Sequence, residues 1–248
     1  MELLARAANA VGIHLTPVQL ERFRIYCEEL ISWNQRFNLT AIAEPEQIQL
    51  KHFLDSLAVL LVWRPASGLT VLDVGTGAGF PALPLKIACP HIRVTLLEAT
   101  SKKVDFLNHL IERLELEGVQ AIHGRAEELA HHSAHREQYQ LVVARAVAYL
   151  PELAEYCLPF VALGGKFIAY KGASAHQEAQ DAGLALSVLG GRLEKVLTVE
   201  LPGITEERQL IIIAKIARTP DNYPRRPGIP HKRPIGLKGE LIPTVNES

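Results

Sequence analysis

Apolar positions in the first quarter of the chain recur at helical spacing. Thr16-Pro17 predicts a helix start, because the threonine oxygen can cap the first turn and proline presets its backbone angle. Glu44-Pro45 predicts the opening of another helix. The two apolar faces comprise Leu20, Phe23, Cys27, Leu30 and Ile31, and Ile48, Phe53, Leu54, Leu57, Leu60 and Leu61. We therefore predict that residues 1–64 form an N-terminal helical extension.

Short apolar runs separated by helical stretches follow in residues 65–217, which we predict to be the core domain. The first run, residues 69–74, is continuously apolar, as expected of a strand covered on both faces. Strands are also predicted at 92–97, 119–122, 140–144 and 166–170, with a helix at 101–117. Strands that alternate with helices predict an α/β fold with a mostly parallel, doubly wound sheet.

Two further strands are predicted at the end of this core, at residues 193–200 and 209–216. Only residues 201–208 separate them, which is too short for a helical crossover. We therefore expect the two strands to pair antiparallel at one edge of the sheet.

A basic, proline-rich arm is predicted for residues 218–248. Residues 215–238 hold seven Lys and Arg against one Asp, or +6, so the remainder carries −7 in a chain of net charge −1. Such a segment has few apolar residues to bury, and we expect it to be extended. A cationic arm on an acidic body indicates contact with a polyanion.

Composition narrows the class of protein. The chain is 48% hydrophobic and 21% charged, which is typical of a globular protein and excludes disordered, collagenous and coiled-coil classes. Its three cysteines show no CxxC spacing, which favours reduced cytosolic thiols. No apolar run is long enough for a bilayer, so we expect a cytoplasmic monomer without a membrane partner. His131, His132 and His135 lie in a polar stretch that favours an exposed loop over a metal site.

The turn after the first predicted strand is a candidate ligand-binding site because it is rich in glycine. Its glycines are Gly75, Gly77 and Gly79. Glycines at a strand-to-helix turn let the backbone approach a nucleotide-like ligand. A dinucleotide fingerprint would need glycine where Phe80 stands, and the charge of Asp73 would oppose a pyrophosphate. S-adenosylmethionine has no phosphate and carries ammonium and sulfonium charges, so it is the predicted cofactor, with Asp73 and the glycines among its contacts.

The ends of the second and third predicted strands support an adenosine ligand. Glu98 ends the second strand, where a carboxylate can accept both ribose hydroxyls. The loop after the third strand would flank the adenine, whose edge the Ala126 backbone and the Glu127 side chain could recognise. A helix start with acidic residues in its first turn is the alternative for this loop.

The fourth predicted strand ends in a cation. The Asn/Asp-Pro-Pro-aromatic motif of enzymes that methylate exocyclic amines is missing there, and Cys157 lies in an apolar stretch typical of core rather than of a nucleophile. Arg145 is instead a candidate for positioning the substrate, with a salt bridge on the sheet rim as the alternative. Lys171, at the end of the fifth strand, is a second and more ambiguous candidate. No residue stands out as a general base.

With these motifs assembled, the chain resembles the bacterial small-subunit ribosomal RNA methyltransferase family RsmG, also called GidB, from about Leu20 to about Pro234. The resemblance rests on Trp33-Asn34, Phe37-Asn38-Leu39-Thr40, His52-Phe53-Leu54-Asp55-Ser56, the loop 73–81, Arg145-Ala146-Val147-Ala148, Tyr170-Lys171-Gly172 and Tyr223-Pro224-Arg225-Arg226. It implies a class I, Rossmann-like methyltransferase fold and transfer of methyl from S-adenosylmethionine to N7 of guanine 527 in the usual 16S rRNA numbering. It also implies cofactor contacts at Gly75, Phe80, Ala126, Glu127 and Arg145.

This chemistry agrees with the motifs that are missing, because guanine N7 has a free lone pair and no proton to remove. The substrate would be 16S rRNA or the small ribosomal subunit, and phosphate contacts are expected from the arm residues Arg225, Arg226, Lys232 and Arg233. The alternative for the arm is a solvated tail or packing on the protein's own acidic body. Three alternatives stay open. They are a small-molecule methyltransferase, a non-catalytic ribosome-binding module with a vestigial cofactor site and, weakest because of Phe80, an NAD-dependent oxidoreductase.

Overall fold

The computed structural model describes residues 1–237, so the end of the predicted arm, 238–248, lies outside the described residues. Its centre is a seven-stranded sheet in the order β3-β2-β1-β4-β5-β7-β6, in which β7 alone runs antiparallel to its neighbours. The strands are β1 (Thr70–Val74), β2 (Arg93–Glu98), β3 (Val119–His123), β4 (Tyr139–Arg145), β5 (Val161–Lys171), β6 (Gly191–Thr198) and β7 (Gln209–Lys215). The predicted α/β class and mostly parallel sheet are confirmed.

The order of strands reverses at β1, which has β2 on one side and β4 on the other. At such a switch point the connections leave in opposite directions, so a crevice opens beyond the carboxyl ends of the two strands. β1 and β4 are held there by the continuous apolar runs seen in the sequence, buried on both faces.

The antiparallel pairing of the last two strands at one edge of the sheet is confirmed. β7 is inserted between β5 and β6, and β6 forms the edge. The reason is burial, because β7 is buried at every position whereas β6 is exposed along most of its length. An edge strand needs polar positions that tolerate water, and only β6 has them.

The N-terminal residues fold as helices, and they share one apolar core with the sheet. They comprise α1 (Glu2–Ala10), α2 (Pro17–Phe37), α3 (Pro45–Gln47), a π-helical stretch (Ile48–Leu54), α4 (Asp55–Leu57) and a 3₁₀ stretch (Ala58–Leu61). The predicted start of α2 is confirmed, since Thr16 and Gln19 cap each other reciprocally. The π-helical stretch was not predicted, and such wide turns are frequent at functional sites.

The remaining helices cover both faces of the sheet. They are α5 (Ala82–Ala88), α6 (Ser101–Arg113), α7 (Ala126–Leu129), α8 (Leu150–Cys157), the 3₁₀ stretch Leu158–Phe160, α9 (Ala175–Asp181), α10 (Gly183–Val188) and α11 (Ile229–Lys232). Two apolar clusters result, one on each face. In the part of the chain that the structure covers, no helix has the length and apolar character to cross a bilayer.

Residues 218–237, called the C-terminal segment below, do not extend away from the protein, and this prediction was wrong. Arg136 donates to the carbonyl oxygens of Thr219 and Tyr223 at 2.8 and 2.9 Å. Ile235 is buried, and the prolines permit the short helix α11 because one of them stands in its first turn. The segment packs on the body because its backbone carbonyls and its few apolar residues find partners there.

Candidate active site

The turn between β1 and α5, called the glycine loop below, requires glycine at three positions. Gly75, Gly77 and Gly79 have φ of +70°, +62° and +100°, which is the left-handed region. A methyl group on Gly75 would come within 2.9 Å of Val147, and one on Gly79 within 2.5 Å of Leu83. A methyl group on Gly77 would meet nothing within 4 Å. The backbone at Gly77 therefore faces open space that a ligand could fill.

Asp73 holds this loop from behind. Its Oδ2 accepts hydrogen bonds from Ala82 N at 3.0 Å and from Thr76 Oγ1 at 2.8 Å, while Oδ1 is buried with no partner among the described residues. Burial raises the pKa of Asp73 to about 7. The carboxyl group thus ties the glycine loop to the first turn of α5, and direct contact with a cofactor stays a prediction.

Glu98 lies at the end of β2 and reaches the glycine loop. Its Oε2 accepts from Gly77 N at 3.0 Å and its Oε1 from Thr100 N at 2.9 Å. Each carboxylate oxygen keeps a further lone pair that could accept from a ligand. The structure therefore brings together two features that the sequence placed 21 residues apart.

The loop that carries Ala126 and Glu127 begins beside the backbone at the end of β2. Gly124 N donates to the backbone oxygen of Glu98 at 3.0 Å, which joins the ends of β2 and β3. Ala126 and Glu127 are both buried at the start of α7. Glu127 Oε1 accepts from Gly228 N at 3.2 Å, so the C-terminal segment reaches this loop, which the sequence did not predict.

Arg145 ends β4 and is held by the N-terminal helices. Its Nη1 lies 2.7 Å from Asp55 Oδ2 and its Nη2 lies 3.2 Å from His52 Nδ1. The other carboxylate oxygen of Asp55 accepts from Arg208 Nε at 3.0 Å. The side chain of Asp55 is only 6% exposed, and it forms ion pairs with two guanidinium groups at once. The alternative of a salt bridge at Arg145 is thus present in the structure, with a partner that the sequence had not indicated.

His52 is fixed as a neutral ring in one tautomer. Burial lowers its pKa to about 3, and the positive charge of Arg145 acts in the same direction. Nδ1 faces a guanidinium donor and must accept, so the ring proton is on Nε2, which lies 2.8 Å from Thr40 Oγ1. Thr40 N in turn donates to Asn34 Oδ1 at 2.9 Å. The ring stacks on Phe80 with centroids 4.4 Å apart.

Phe80 has a different setting from the one expected of a cofactor contact. Its ring is buried between His52 and Tyr26, and the guanidinium carbon of Arg145 lies 5.0 Å from its centroid. The side chain therefore connects the glycine loop to the Arg145 cluster. A contact between Phe80 and a cofactor stays a prediction.

Sequence reasoning missed the roles of His52, Asp55 and Arg208. A usable signal was present, because Asp55 and Ser56 interrupt the buried side of the second predicted helix and are buried in the structure. Buried charge needs a partner, and the partners of Asp55 are 90 and 153 residues away along the chain.

Lys171 stabilises the loop after β4. Its Nζ lies 2.6 Å from Glu178 Oε2 and donates to the backbone oxygen of Ala148. That loop begins at Ala146, whose φ of +56° is unusual for a residue with a side chain and is typical of functional sites. Lys171 therefore holds the loop that passes over the glycine loop at Val147.

A cavity of about 370 Å³ opens beside these groups. Four of its lining residues are cations, namely Lys51, Arg145, Lys171 and Arg208, whereas Asp55 is its single carboxylate. The predicted positioning candidates Arg145 and Lys171 therefore lie in one cavity, together with two cations that sequence reasoning did not single out.

The four arm cations do not share one environment. Arg225 Nη2 lies 2.7 Å from Oε2 of Glu155, a fully buried carboxylate, and Arg225 N and Nε donate to the same side chain. Arg226, Lys232 and Arg233 are exposed. Contact of these four residues with RNA phosphates stays a prediction, and at Arg225 a buried carboxylate already engages the guanidinium.

The histidine cluster and the cysteines are the other residues with candidate chemistry. Within residues 1–237 no group of three or more His, Cys, Asp or Glu is placed to hold a metal ion. His131 Nε2 lies 2.9 Å from the backbone oxygen of Pro224, and His135 Nδ1 lies 2.7 Å from the hydroxyl of Tyr139. The three cysteines are free and buried.

Solved structures are similar to this chain in fold at low sequence identity. A methyltransferase from Aquifex aeolicus described as SAM-dependent aligns with a TM-score of 0.52 at 18% identity, covering 74% of this chain and 97% of that one. A geranyl diphosphate methyltransferase solved with GPP and sinefungin aligns with a TM-score of 0.53 at 12% identity, covering 81% and 100%. These similarities support the Rossmann-like methyltransferase fold and nothing finer.

Sequence relatives are much closer. A ribosomal RNA small subunit methyltransferase G of Bacillus cytotoxicus is 49% identical over 90% of this chain and 94% of its own length. Proteins of the same name from Bacillus cereus strain B4264 and Bacillus thuringiensis strain Al Hakam are each 48% identical over the same shares. The GidB family, described as rRNA small subunit methyltransferase G, matches residues 19–211. The chain therefore belongs to the ribosomal RNA small subunit methyltransferase G family.

Proposed function

We propose that this protein transfers a methyl group from S-adenosylmethionine to N7 of one guanine of 16S rRNA, guanine 527 in the usual numbering. One observation carries the proposal in a chain of this family. The glycine loop and Glu98 lie at the switch point of the sheet, and Phe80 of this loop stacks on His52, which lines a cation-rich cavity at the ends of β4 and β5. Such a substrate would be met in the cytoplasm, as the naked RNA or as the small ribosomal subunit.

The residues at the crevice fit S-adenosylmethionine. Gly77 faces open space, which suits the methionine part of the molecule. Glu98 has acceptor capacity for ribose hydroxyls, and Ala126 with Glu127 would border the adenine. When bound, the cofactor supplies an electrophilic methyl group on a sulfonium.

The side chains near the crevice suit a transfer that needs no general base. Guanine N7 offers a lone pair and releases no proton. His52 is neutral, with its Nδ1 lone pair directed at Arg145, and Asp55 is engaged by two guanidinium groups. Arg145 and Lys171 would act by positioning the substrate. The crevice would act by excluding water from a reaction in which the positive charge passes from the sulfonium to the methylated purine ring.

The target guanine must leave a regular helix to react. N7 of a paired guanine lies in the deep, narrow major groove of A-form RNA, which side chains cannot enter. The protein would therefore act on a loop nucleotide or on one extruded from its stack. The exposed cations of the C-terminal segment would add affinity for the surrounding phosphates.

The test is transfer of tritiated methyl from S-adenosylmethionine to 16S rRNA and to small subunits that lack the modification. We expect one methyl group per RNA, with strand cleavage chemistry specific for 7-methylguanine mapping it to position 527. Label on another atom or another base would contradict the proposal. Label found only on small molecules would favour the alternative of a small-molecule methyltransferase on the same core.

A further inference from the structure

The cavity next to Arg145 has more positive than negative charge on its walls. Four cations line it and Asp55 is the single carboxylate among the lining residues. Two of the cations are engaged by buried carboxylates. Arg145 contacts Asp55, as well as His52, and Lys171 forms an ion pair with Glu178. Lys51 and Arg208 are paired less completely, because Arg208 shares Asp55 with Arg145 and Lys51 pairs with an exposed carboxylate.

These two cations remain available to a ligand. Lys51 is 28% exposed, and its ion pair is with Glu206, an exposed carboxylate on the connection between β6 and β7. Arg208 is 26% exposed and uses Nε on Asp55 and Nη1 on the backbone oxygen of Glu207. Within residues 1–237, Arg208 Nη2 makes no hydrogen bond. An exposed ion pair and a guanidinium nitrogen without a hydrogen-bond partner among the described residues thus belong to two side chains that line the same cavity.

The chemistry of this pair suits a phosphate group. A guanidinium presents its donors in a planar fork that matches phosphate oxygens, and an ammonium adds a compact charge. Asp55 and the backbone oxygen of Glu207 hold the Arg208 guanidinium by Nε and Nη1, so that Nη2 is oriented in advance. The carboxylate of Glu206 pairs with the Lys51 ammonium, as a phosphate oxygen would. Because this ion pair is exposed, a phosphate group can displace the carboxylate at little cost.

We propose that this cavity binds a phosphodiester group of the RNA substrate through Lys51 and Arg208, next to the nucleotide that is methylated. The inference rests on the proposed function, since it names the part of the RNA that the cavity receives. It assigns the π-helical stretch a role, because that stretch supplies Lys51 to the cavity and His52 to Arg145. It also separates this contact from those of the C-terminal segment.

The experiment compares Lys51→Gln with the matched control Lys166→Gln. Lys51 pairs with Glu206 and Lys166 pairs with Glu194, so each substitution removes one positive charge and one surface ion pair. Lys166 lies on β5 and does not line the cavity. Affinity for unmodified 16S rRNA is measured at several salt concentrations, and affinity for S-adenosylmethionine is measured by calorimetry as a check on folding.

A phosphate contact makes binding depend on salt, with a slope of about 0.7–0.9 for each contact. Between about 50 and about 200 mM salt, wild-type affinity should therefore fall about threefold more than that of Lys51→Gln. Lys166→Gln should follow the wild type, and all three proteins should bind S-adenosylmethionine equally. Arg208→Gln should also flatten the slope and keep the fold, because Asp55 still has Arg145.

The source of the phosphate is tested by competition. Inorganic phosphate at constant ionic strength should compete only weakly with RNA, because it lacks the other nucleotides through which RNA contacts the protein. Phosphate that displaces RNA fully while RNA shows no contact with Lys51 would mean that the cavity binds a free anion, and the inference would be overturned.

Failure of this inference differs from failure of the proposed function. If the wild type methylates N7 but binds RNA with the same affinity and salt slope as Lys51→Gln and Arg208→Gln, the cavity is not a phosphodiester site and the function stands. If the wild type transfers no methyl to RNA, the proposed function fails first, and the inference fails with it.

Discussion

Burial fixes the protonation state of individual side chains around the crevice. Outside the folded protein His52 would take up a proton near about pH 6.5, whereas inside it does so only near pH 3. The unfolded chain therefore binds more protons between these values, and this group makes stability fall as the pH is lowered through that window. Asp73 acts in the opposite sense, because its raised pKa makes the folded state bind more protons up to about pH 7.

This difference can be measured with His52→Gln. The substitution should destabilise the protein near about pH 7, because stacking on Phe80 is removed. The gap between wild type and variant should then shrink as the pH is lowered to about 4.5, by at most about 1.4 kcal/mol per pH unit. Urea unfolding at several pH values measures the gap, and the effect of Asp73 cancels because both proteins contain it. The exposed His14→Gln is the control. A gap independent of pH would contradict a neutral His52.

Glu98 is the residue at which the cofactor assignment is most directly tested. Its carboxylate accepts from the glycine loop and is expected to accept from ribose hydroxyls. Glu98→Ala should therefore weaken S-adenosylmethionine binding by about 1–3 kcal/mol, the scale of a hydrogen bond to a charged group. Calorimetry measures the affinity for S-adenosylmethionine. The control is Glu194→Ala, which removes a carboxylate from the edge strand β6. Unchanged affinity would remove Glu98 from the site.

Two glycines of the same loop should respond differently. Gly77→Leu should abolish cofactor binding while the protein stays folded, because its side chain would enter open space where the methionine part is expected. Gly79→Ala should instead lower stability, because its methyl group would meet Leu83 at 2.5 Å and Tyr26 at 2.6 Å. Thermal unfolding and calorimetry on both variants separate the effects. Normal affinity in Gly77→Leu would contradict the assignment of the loop.

At the scale of elements, a buried ion pair holds the C-terminal segment to the body, in addition to the hydrogen bonds from Arg136. Glu155 on α8 is fully buried and accepts from Arg225 through backbone and side chain. A further attachment joins Gly228 to Glu127, next to the loop expected to border adenine. The segment is therefore an integral part of the fold, and one of its attachment points lies close to the crevice.

Removal of Arg225 should cost far more than removal of its neighbour. Arg225→Ala leaves a buried carboxylate without its cation, a change on the scale of about 3–5 kcal/mol. Arg225→Ala combined with Glu155→Gln should recover much of that stability, since the amide oxygen can still accept from the backbone. Chemical denaturation, with the exposed Arg226→Ala as control, measures both. Equal stability of Arg225→Ala and Arg226→Ala would show that the ion pair does not hold the segment.

At the scale of the whole molecule, charge is divided between an acidic body and the basic residues 215–238. Packing of the C-terminal segment on the body neutralises part of that charge at Arg225 and leaves Arg226, Lys232 and Arg233 in water. These three cations are accessible to a polyanion, whereas Arg225 is engaged by a buried carboxylate. Arg225 is thus unsuitable for testing RNA contact, because its removal would release the segment.

The triple variant Arg226→Ala, Lys232→Ala and Arg233→Ala should bind RNA with a flatter salt dependence, by about 0.7–0.9 in slope for each phosphate that is no longer bound. Binding of S-adenosylmethionine should not change. A matched triple variant at Arg192, Lys195 and Lys166, on β5 and β6, removes the same charge from another face. Identical salt slopes for the two triple variants would show that the C-terminal segment does not contact RNA.

Patterns within the sequence were sufficient for the sheet, the glycine loop and the placement of Glu98. Strand burial, glycine at positive φ and a carboxylate at a strand end are consequences of neighbours close along the chain, so they leave a periodic or local signal. The predicted strands confirmed in this way differ from the observed ones mainly at their ends, as for β1 and β2.

Local patterns in the chain were thus enough to predict the α/β sheet, the glycine loop and the family. Which charges meet became known only from the folded structure, because the ion pairs of Asp55 with Arg145 and Arg208 and of Glu155 with Arg225 join residues 70 to 153 positions apart. A buried charge is tolerated only beside its partner, and no spacing along the chain encodes a partner brought near by folding. The same requirement folds the predicted arm back onto the body.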